Sequence, residues 1–337
     1  MDHIKKICVL GGGSFGTAMA NIAANNHSHV MLWMRSDKRV DEIKRTRING
    51  RYLPNYPLND SLIPTSDLEE ACADADLVLV AIPSKAFRGV MEQAIPLIPT
   101  SAPLVSLTKG IEHGSFKLMS QILQELAPKH DIAVLSGPNL AKEIADDQLC
   151  ATVIASINPE LRRTVQEVLS TTSFRVYGNP DSYGVELAGA LKNIYAIISG
   201  ITTSLGMGDN TRAMVTTRSL AEMSRFAQRM GANPMTFIGL AGVGDLIATC
   251  SSQLSRNYRV GFYVGQGKTL KQAVKLIGEV AEGINTLRMV KEKSDELGID
   301  MPLVTGLYEI FYEGRDVEEI AHTIMVGGHA DDVEFMH

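Results

Sequence analysis

The sequence predicts an α/β N-terminal domain with a mostly parallel sheet, followed by an all-α C-terminal domain. Three observations carry this expectation. Short apolar runs alternate with helix-like segments through the first half; a glycine-rich turn follows the first run directly; and past Asn179 the strand-like runs stop and long helical patterns take over.

Strands are expected at "IKKICVL" (4–10), "HVMLWM" (29–34), "LVLVAI" (77–82), "PLVSL" (103–107) and "IAVLS" (132–136). These runs are apolar without strict alternation, which suits strands covered on both faces by crossover helices. Two more, "CATVIAS" (150–156) and "FRVYG" (174–178), flank the helix-like "PELRRTVQEVLS". Beyond the turn "NPDS", helical patterns span 181–204, 211–230, 234–249, 257–266, 269–277, 283–298 and 302–312. The expected domains are therefore 1–179, binding a dinucleotide, and 180–337, helical, binding substrate and carrying the catalytic group.

Bulk properties exclude several classes. A chain of 337 residues exceeds one ordinary core, so two domains are natural. The net charge of −6 disfavours nucleic acid as a partner, which calls for a basic surface. Cys8, Cys72, Cys150 and Cys250 show neither a CxxC pair nor metal-ligand spacing, so free thiols in a reducing compartment and no bound metal are expected. The start "MDHIKKICVLGGG" does not read as a signal peptide, and no run reaches the roughly 20 apolar residues of a membrane span. A cytoplasmic location follows as an expectation.

"GGGSFG" contains GxGxxG as Gly11, Gly13 and Gly16, after a strand and opening the helix "SFGTAMANIAANN". In that context the motif marks a Rossmann-type dinucleotide site. Gly11 permits the tight turn, Gly13 lets a pyrophosphate approach the backbone, Gly16 lets helix and strand close up, and the amides around Ser14 and Phe15 face the phosphates. After the second strand, where an acid would favour NAD, the chain has Arg35 with Ser36 beside it. That suits the 2′-phosphate of NADP, so NADPH is expected to be preferred with NADH usable.

The chemical group is sought in the helical half. Between Glu186 and Asp209 the only charged residue is Lys192, with Ala188, Gly189 and Ala196 at helical neighbour positions. Between Met230 and Ser255 the only one is Asp245, in "GLAGVGDLIATC". Two isolated opposite charges in small-residue surroundings predict a partnered pair at a cavity, and such a lysine can protonate a developing alkoxide. Lys109 follows "PLVSLT" at a strand's carboxyl end, where ligands of open α/β sheets bind. In "SQLSRNYRVG", Ser255 reads as an N-cap, and with Arg256 and Asn257 opens a helix suited to a phosphate.

Together, "GGGSFGTA", "SLTKGIE", "SGPNLAKEIA", "VELAGALKNIYAIISGI", "GMGDNTRAMVTTRSLAEM", "GLAGVGDLIATC", "SRNYRVG" and "GEVAEGINT" resemble the NAD(P)-dependent glycerol-3-phosphate dehydrogenases of bacterial type over roughly residues 5–310. The resemblance implies reversible reduction of dihydroxyacetone phosphate to sn-glycerol 3-phosphate for glycerophospholipid synthesis. It implies Lys192 as the proton donor and acceptor, and Lys109, Gly137, Asn193, Asp245, Ser255, Arg256 and Asn257 against substrate. Ser14, Phe15, Arg35, Lys109, Ala141, Arg256, Val280 and Glu282 would line the cofactor. The chain departs from the family at Asn139, where Ser or Thr is usual in the substrate position, and its tail "IMVGGHADDVEFMH" matches nothing in it.

Two rivals remain at this point. One is a dehydrogenase of similar build acting on a 3-hydroxy acid or a 2-ketopantoate-type substrate, which would need no "SRN" phosphate site. The other is a dinucleotide-binding redox sensor, against which the acidic charge and the Lys192–Asp245 pair both count. The expected partners are small molecules, and a homodimer is left open.

Overall fold

The computed structural model describes residues 4–27, 29–278 and 281–326. The chain forms two compact units, Met1–Glu186 and Leu187–His337.

The first unit is built on eight strands: β1 (Ile7–Leu10), β2 (Val30–Trp33), β3 (Leu62–Thr65), β4 (Leu77–Val80), β5 (Leu104–Ser106), β6 (Ile132–Ser136), β7 (Cys150–Ala155) and β8 (Phe174–Asn179). They lie in the order β3-β2-β1-β4-β5-β6-β7-β8. Every neighbouring pair is parallel except β6 and β7. All seven expected strands are present. The eighth, β3, was not foreseen: "LIPT" is short and contains Pro64, which cannot donate to a ladder, and an edge strand is where that is tolerated.

Among the described residues, seven helices cover this sheet: α1 (Ser14–Asn26), α2 (Asp37–Thr46), α3 (Leu68–Cys72), α4 (Ser84–Ala94), α5 (Met119–Leu126), α6 (Ala141–Ala145) and α7 (Pro159–Leu169). Because the strands are covered on both sides, alternate residues enter different cores. Val9, Leu32 and Leu79 pack with α1, α2 and α7, while Cys8, Met31 and Val78 pack with α3, α4 and α5. The sheet order turns back between β1 and β4, opening the crevice at the strands' carboxyl ends where this architecture receives ligands.

The chain continues through α8 (Ser182–Ser204), α9 (Asp209–Arg229), α10 (Asp245–Ser251), α11 (Arg256–Gly265), α12 (Leu270–Ile277), α13 (Glu282–Leu297), α14 (Pro302–Tyr308) and α15 (Val317–Val326). The expected continuous helix at 234–249 is three pieces instead: a 3-10 turn at Pro234–Ile238, a π turn at Leu240–Gly244, and α10. The break sits at Gly239, which is extended, and Gly242 closes on the turn so tightly that a Cβ there would lie 2.0 Å from the Phe237 carbonyl oxygen. The pattern at 302–312 likewise ends as α-helix at Tyr308 and continues as a π turn, Glu309–Glu313.

Helices α8 and α11 meet backbone to backbone. A Cβ on Gly200 would stand 2.0 Å from the Tyr258 carbonyl oxygen, and one on Gly261 would stand 1.8 Å from that of Ile197. Elsewhere in this unit, Glu222 of α9 is buried and takes backbone N–H bonds from Leu303 (2.6 Å) and Val304 (3.4 Å) at the start of α14, and the Tyr195 hydroxyl at 3.2 Å. No described helix is long and apolar enough to cross a membrane.

Candidate active site

In the first unit, the glycine turn has the shape a dinucleotide requires. Gly11 sits at φ +119°, and a Cβ there would lie 2.5 Å from the Ala81 carbonyl oxygen at the end of β4. At Gly16 a Cβ would lie 2.0 Å from the Gly11 carbonyl oxygen, so α1 can start this close to β1 only with glycine. Gly13, by contrast, faces open space on the side where a Cβ would project. It is also the N-cap of α1 without a side-chain cap, and no acid stands in the first turn of that helix. The amides of Ser14 and Phe15 therefore begin a helix whose N-terminal partial charge is available to an anion. These residues fit a pyrophosphate.

Asn49, buried and unnoticed in the sequence, fixes this turn. Its Nδ2 donates to the Gly12 carbonyl at 3.1 Å and to Thr17 Oγ1 at 2.8 Å. No local pattern around "RING" distinguishes it from a loop asparagine. Arg35 is exposed just past β2, and Ser36 is the N-cap of α2 with its hydroxyl not engaged in capping.

Further along the sheet, the structure brings Lys109 and Gly137 together. Lys109 is half-buried after β5, and its Nζ donates to the Gly137 carbonyl at 2.8 Å. Gly137, at φ +149°, ends β6. Two residues on, both polar atoms of the Asn139 side chain are buried without a hydrogen-bond partner, a costly condition that an incoming polar group would relieve. Ala141 is the first residue of α6.

The second unit holds the charged pair. Lys192 on α8 is 6% exposed and Asp245 at the start of α10 is 1% exposed. Lys192 Nζ donates to Asp245 Oδ1 at 2.5 Å and to Thr249 Oγ1 at 2.5 Å, and the Thr249 hydroxyl donates to Asp245 Oδ1 at 3.2 Å. An ammonium carries three N–H donors, and the described residues engage two. Thr249 was missed in the sequence, although its place four residues after Asp245 puts both on one helix face. Next to it, burial pushes the Cys250 thiol up to about 12, which keeps it protonated beside the pair. The described cysteines are all free.

Asn193 and Asn257, each buried, are joined: Asn257 Nδ2 donates to Asn193 Oδ1 at 2.9 Å, while Asn257 Oδ1 accepts the Gly283 amide at 3.0 Å. Gly283 admits no side chain, since a Cβ would lie 2.5 Å from the Asn193 carbonyl oxygen. Ser255 caps α11 by accepting the Tyr258 amide at 3.2 Å, and exposed Arg256 is the first residue of that helix. Glu282 opens α13. Val280 and the tail beyond Val326 lie outside the described residues. So α8, α10, α11 and the start of α13 assemble Lys192, Asn193, Asp245, Ser255, Arg256 and Asn257 within one unit.

Comparison with known proteins gives a consistent picture. Family models described as the N-terminus and C-terminus of NAD-dependent glycerol-3-phosphate dehydrogenase match residues 6–162 and 181–322. The chain is 54% identical over 334 residues to a glycerol-3-phosphate dehydrogenase [NAD(P)+] of Teredinibacter turnerae, covering 99% of this chain and 98% of the relative. It is 53% identical over 336 residues to the protein so named from Ectopseudomonas mendocina, covering 100% and 98%. Among solved structures, glycerol-3-phosphate dehydrogenase from Coxiella burnetii superposes with a TM-score of 0.91 at 36% identity, over 96% of this chain and 99% of that one. A ketopantoate reductase from Ralstonia eutropha shares the fold alone, with a TM-score of 0.57 at 18% identity.

Proposed function

The chain belongs to the NAD-dependent glycerol-3-phosphate dehydrogenase family, and from that premise we propose how its residues perform the reversible, nicotinamide-dependent reduction of dihydroxyacetone phosphate to sn-glycerol 3-phosphate, which supplies glycerophospholipid synthesis. The carrying observation is Lys192: a buried ammonium tied to Asp245 and Thr249 through two of its three donors. The third donor is the one offered to the substrate's carbonyl oxygen.

When bound, the nicotinamide cofactor supplies the hydride that reduces the carbonyl carbon. Lys192 stabilises the negative charge growing on the oxygen and then gives it a proton; in the reverse direction it takes the hydroxyl proton. Asp245 and Thr249, each accepting from its Nζ, fix the orientation of the lysine. The start of α11, with Arg256 and the amides beside Ser255, binds the substrate's phosphate, and that remote binding holds the carbonyl in reactive geometry. Asn257, held by Asn193 and Gly283, lies at the same helix start and adds a carboxamide to this pocket. Lys109, Gly137 and Asn139 belong to the substrate's surroundings on the first unit, Asn139 because its unpartnered carboxamide suits a hydroxyl. For the cofactor the first unit offers Gly11, Gly13, Ser14, Phe15, Gly16, Arg35, Lys109 and Ala141, and Arg256, Val280 and Glu282 are assigned to it on the sequence resemblance alone.

NADPH is the preferred cofactor in this reading, with NADH usable. Its support is the exposed guanidinium of Arg35 after β2, where an acid would have favoured NAD. The functional division lies at 179/180, supported by the interval between the two family matches. Work on small, soluble phosphate esters suits a cytoplasmic location. The test is an absorbance assay with purified protein, NADPH or NADH, and dihydroxyacetone phosphate. Oxidation of cofactor by wild type and not by Lys192→Ala is expected; equal rates in the two proteins would refute the role of Lys192.

A further inference from the structure

Beyond Arg35, Arg39 on α2 and Arg51 in the loop that follows it form a second set of cations, gathered on Tyr52. Arg39, in the first turn of α2, donates from Nη1 to the Tyr52 hydroxyl at 3.1 Å, and its guanidinium carbon lies 5.0 Å from the Tyr52 ring centre. Arg51 lies 5.5 Å from the same ring. Both distances fall within cation–π range. Tyr52 is tied by its own backbone to the phosphate turn, because the Ser14 hydroxyl donates to the Tyr52 carbonyl at 3.0 Å. Asn49, three residues earlier, holds the same loop to Gly12 and Thr17.

The loop is therefore a rim, anchored at one end to the turn that receives the pyrophosphate and at the other to the start of α2. In this fold the adenosine ribose lies between those two places, with its 2′ position toward the end of β2 and the start of α2. Arg35, Arg39 and Arg51 form no ion pair with a carboxylate among the described residues, although Asp37, Asp41 and Glu42 lie on α2 itself. Arg39 and Arg51, sharing one ring without an acidic partner, repel one another, and a doubly charged phosphate compensates them. The pyrophosphate is already provided for by the open N-terminus of α1.

We infer that Arg39 and Arg51, organised around Tyr52, bind the 2′-phosphate of NADP and act with Arg35 to set cofactor choice. The inference rests on the NADPH preference argued above and adds its specificity-determining residues. Tyr52 is a positioning residue: its hydroxyl holds the Arg39 fork, and its carbonyl ties the fork to the phosphate turn.

The test measures binding directly, by calorimetric titration of the full chain with 2′,5′-ADP and with 5′-AMP, probes that differ in the 2′-phosphate. Wild type should bind 2′,5′-ADP more tightly. Arg39→Gln/Arg51→Gln should lose about tenfold or more in affinity for 2′,5′-ADP, the scale of a lost charge-assisted contact, with 5′-AMP affinity changed less than about twofold. Arg51→Gln alone, at an exposed position, should show a part of the same selective loss, and covers the event that the double variant folds poorly. Tyr52→Phe should weaken 2′,5′-ADP selectively, which a purely structural loop role would not do. Equal loss for both probes, or no loss for either, would overturn the inference. If wild type discriminates and only Arg35→Gln abolishes the difference, the inference fails while the NADPH reading stands. If wild type does not discriminate, both fail.

Discussion

Lys192 and Asp245 stand 53 residues apart in the chain and meet at 2.5 Å in the interior of the second unit, closed into a triangle by Thr249. Lys192→Ala should remove nearly all turnover while NADPH affinity, read from cofactor fluorescence, stays within about twofold, since the phosphate turn is elsewhere in the chain. A variant with near wild-type turnover would refute proton donation by Lys192.

Asp245→Asn should cost stability as well as rate. Removing one partner of a buried pair leaves an uncompensated charge, at about 3–5 kcal/mol. Lys192→Met combined with Asp245→Leu should recover most of that stability and none of the activity. Urea denaturation of the single and double variants decides this; a single variant as stable as wild type would mean the ammonium finds other compensation.

Arg256→Ala should lower kcat/KM for dihydroxyacetone phosphate by about ten- to a hundredfold, the worth of a charge-assisted contact to phosphate. Its side chain is exposed, so the midpoint of thermal unfolding should hardly move. Unchanged kcat/KM would put the phosphate elsewhere.

Glu222 gives a pH signature. Burial pushes its carboxyl up to about 7, against the N–H donors of Leu303 and Val304, so the folded protein holds a proton that the unfolded chain releases near 4.5. Where the folded state binds the extra proton, stability falls as pH rises, by about 1.4 kcal/mol per pH unit for one group, between roughly 4.5 and 7. Glu186, pushed up to about 7 by burial against Ser120, adds a second such slope. Glu222→Gln should flatten the decline of the unfolding midpoint between about pH 4.5 and 7 by about one group's share. Parallel curves for wild type and variant would exclude Glu222 as a source.

Much of this was legible in the sequence, and the reasons differ by feature. The parallel strands announced themselves because burial on both faces leaves uninterrupted apolar runs such as "LVLVAI". Lys192 and Asp245 were visible because each is a lone charge in a long neutral stretch. β3 was hidden, since an edge strand needs neither length nor apolar character and tolerates Pro64. The broken segment at 234–249 was hidden too: apolar periodicity survives a π turn, and only the contact of Gly242 with Phe237 reveals it. Thr249 was readable from its i+4 spacing to Asp245 and was passed over, whereas Asn49 and the Arg39–Tyr52–Arg51 rim depend on loops and helices meeting in space, which spacing along a chain does not encode.

The glycine crossing of α8 and α11 has a consequence for how the protein breathes. Gly200 and Gly261 bring the two backbones into contact, so neither helix can slide or tilt without the other. Lys192 sits on one, and the helix start proposed to bind the substrate's phosphate is on the other. Amide hydrogens in the middle of both helices should exchange with solvent at one shared, slow rate, as a single cooperative block, while those of the short α12 exchange ahead of them. Motions that admit substrate and release product would then leave this block closed, and the distance from proton donor to phosphate cradle would stay constant through the catalytic cycle.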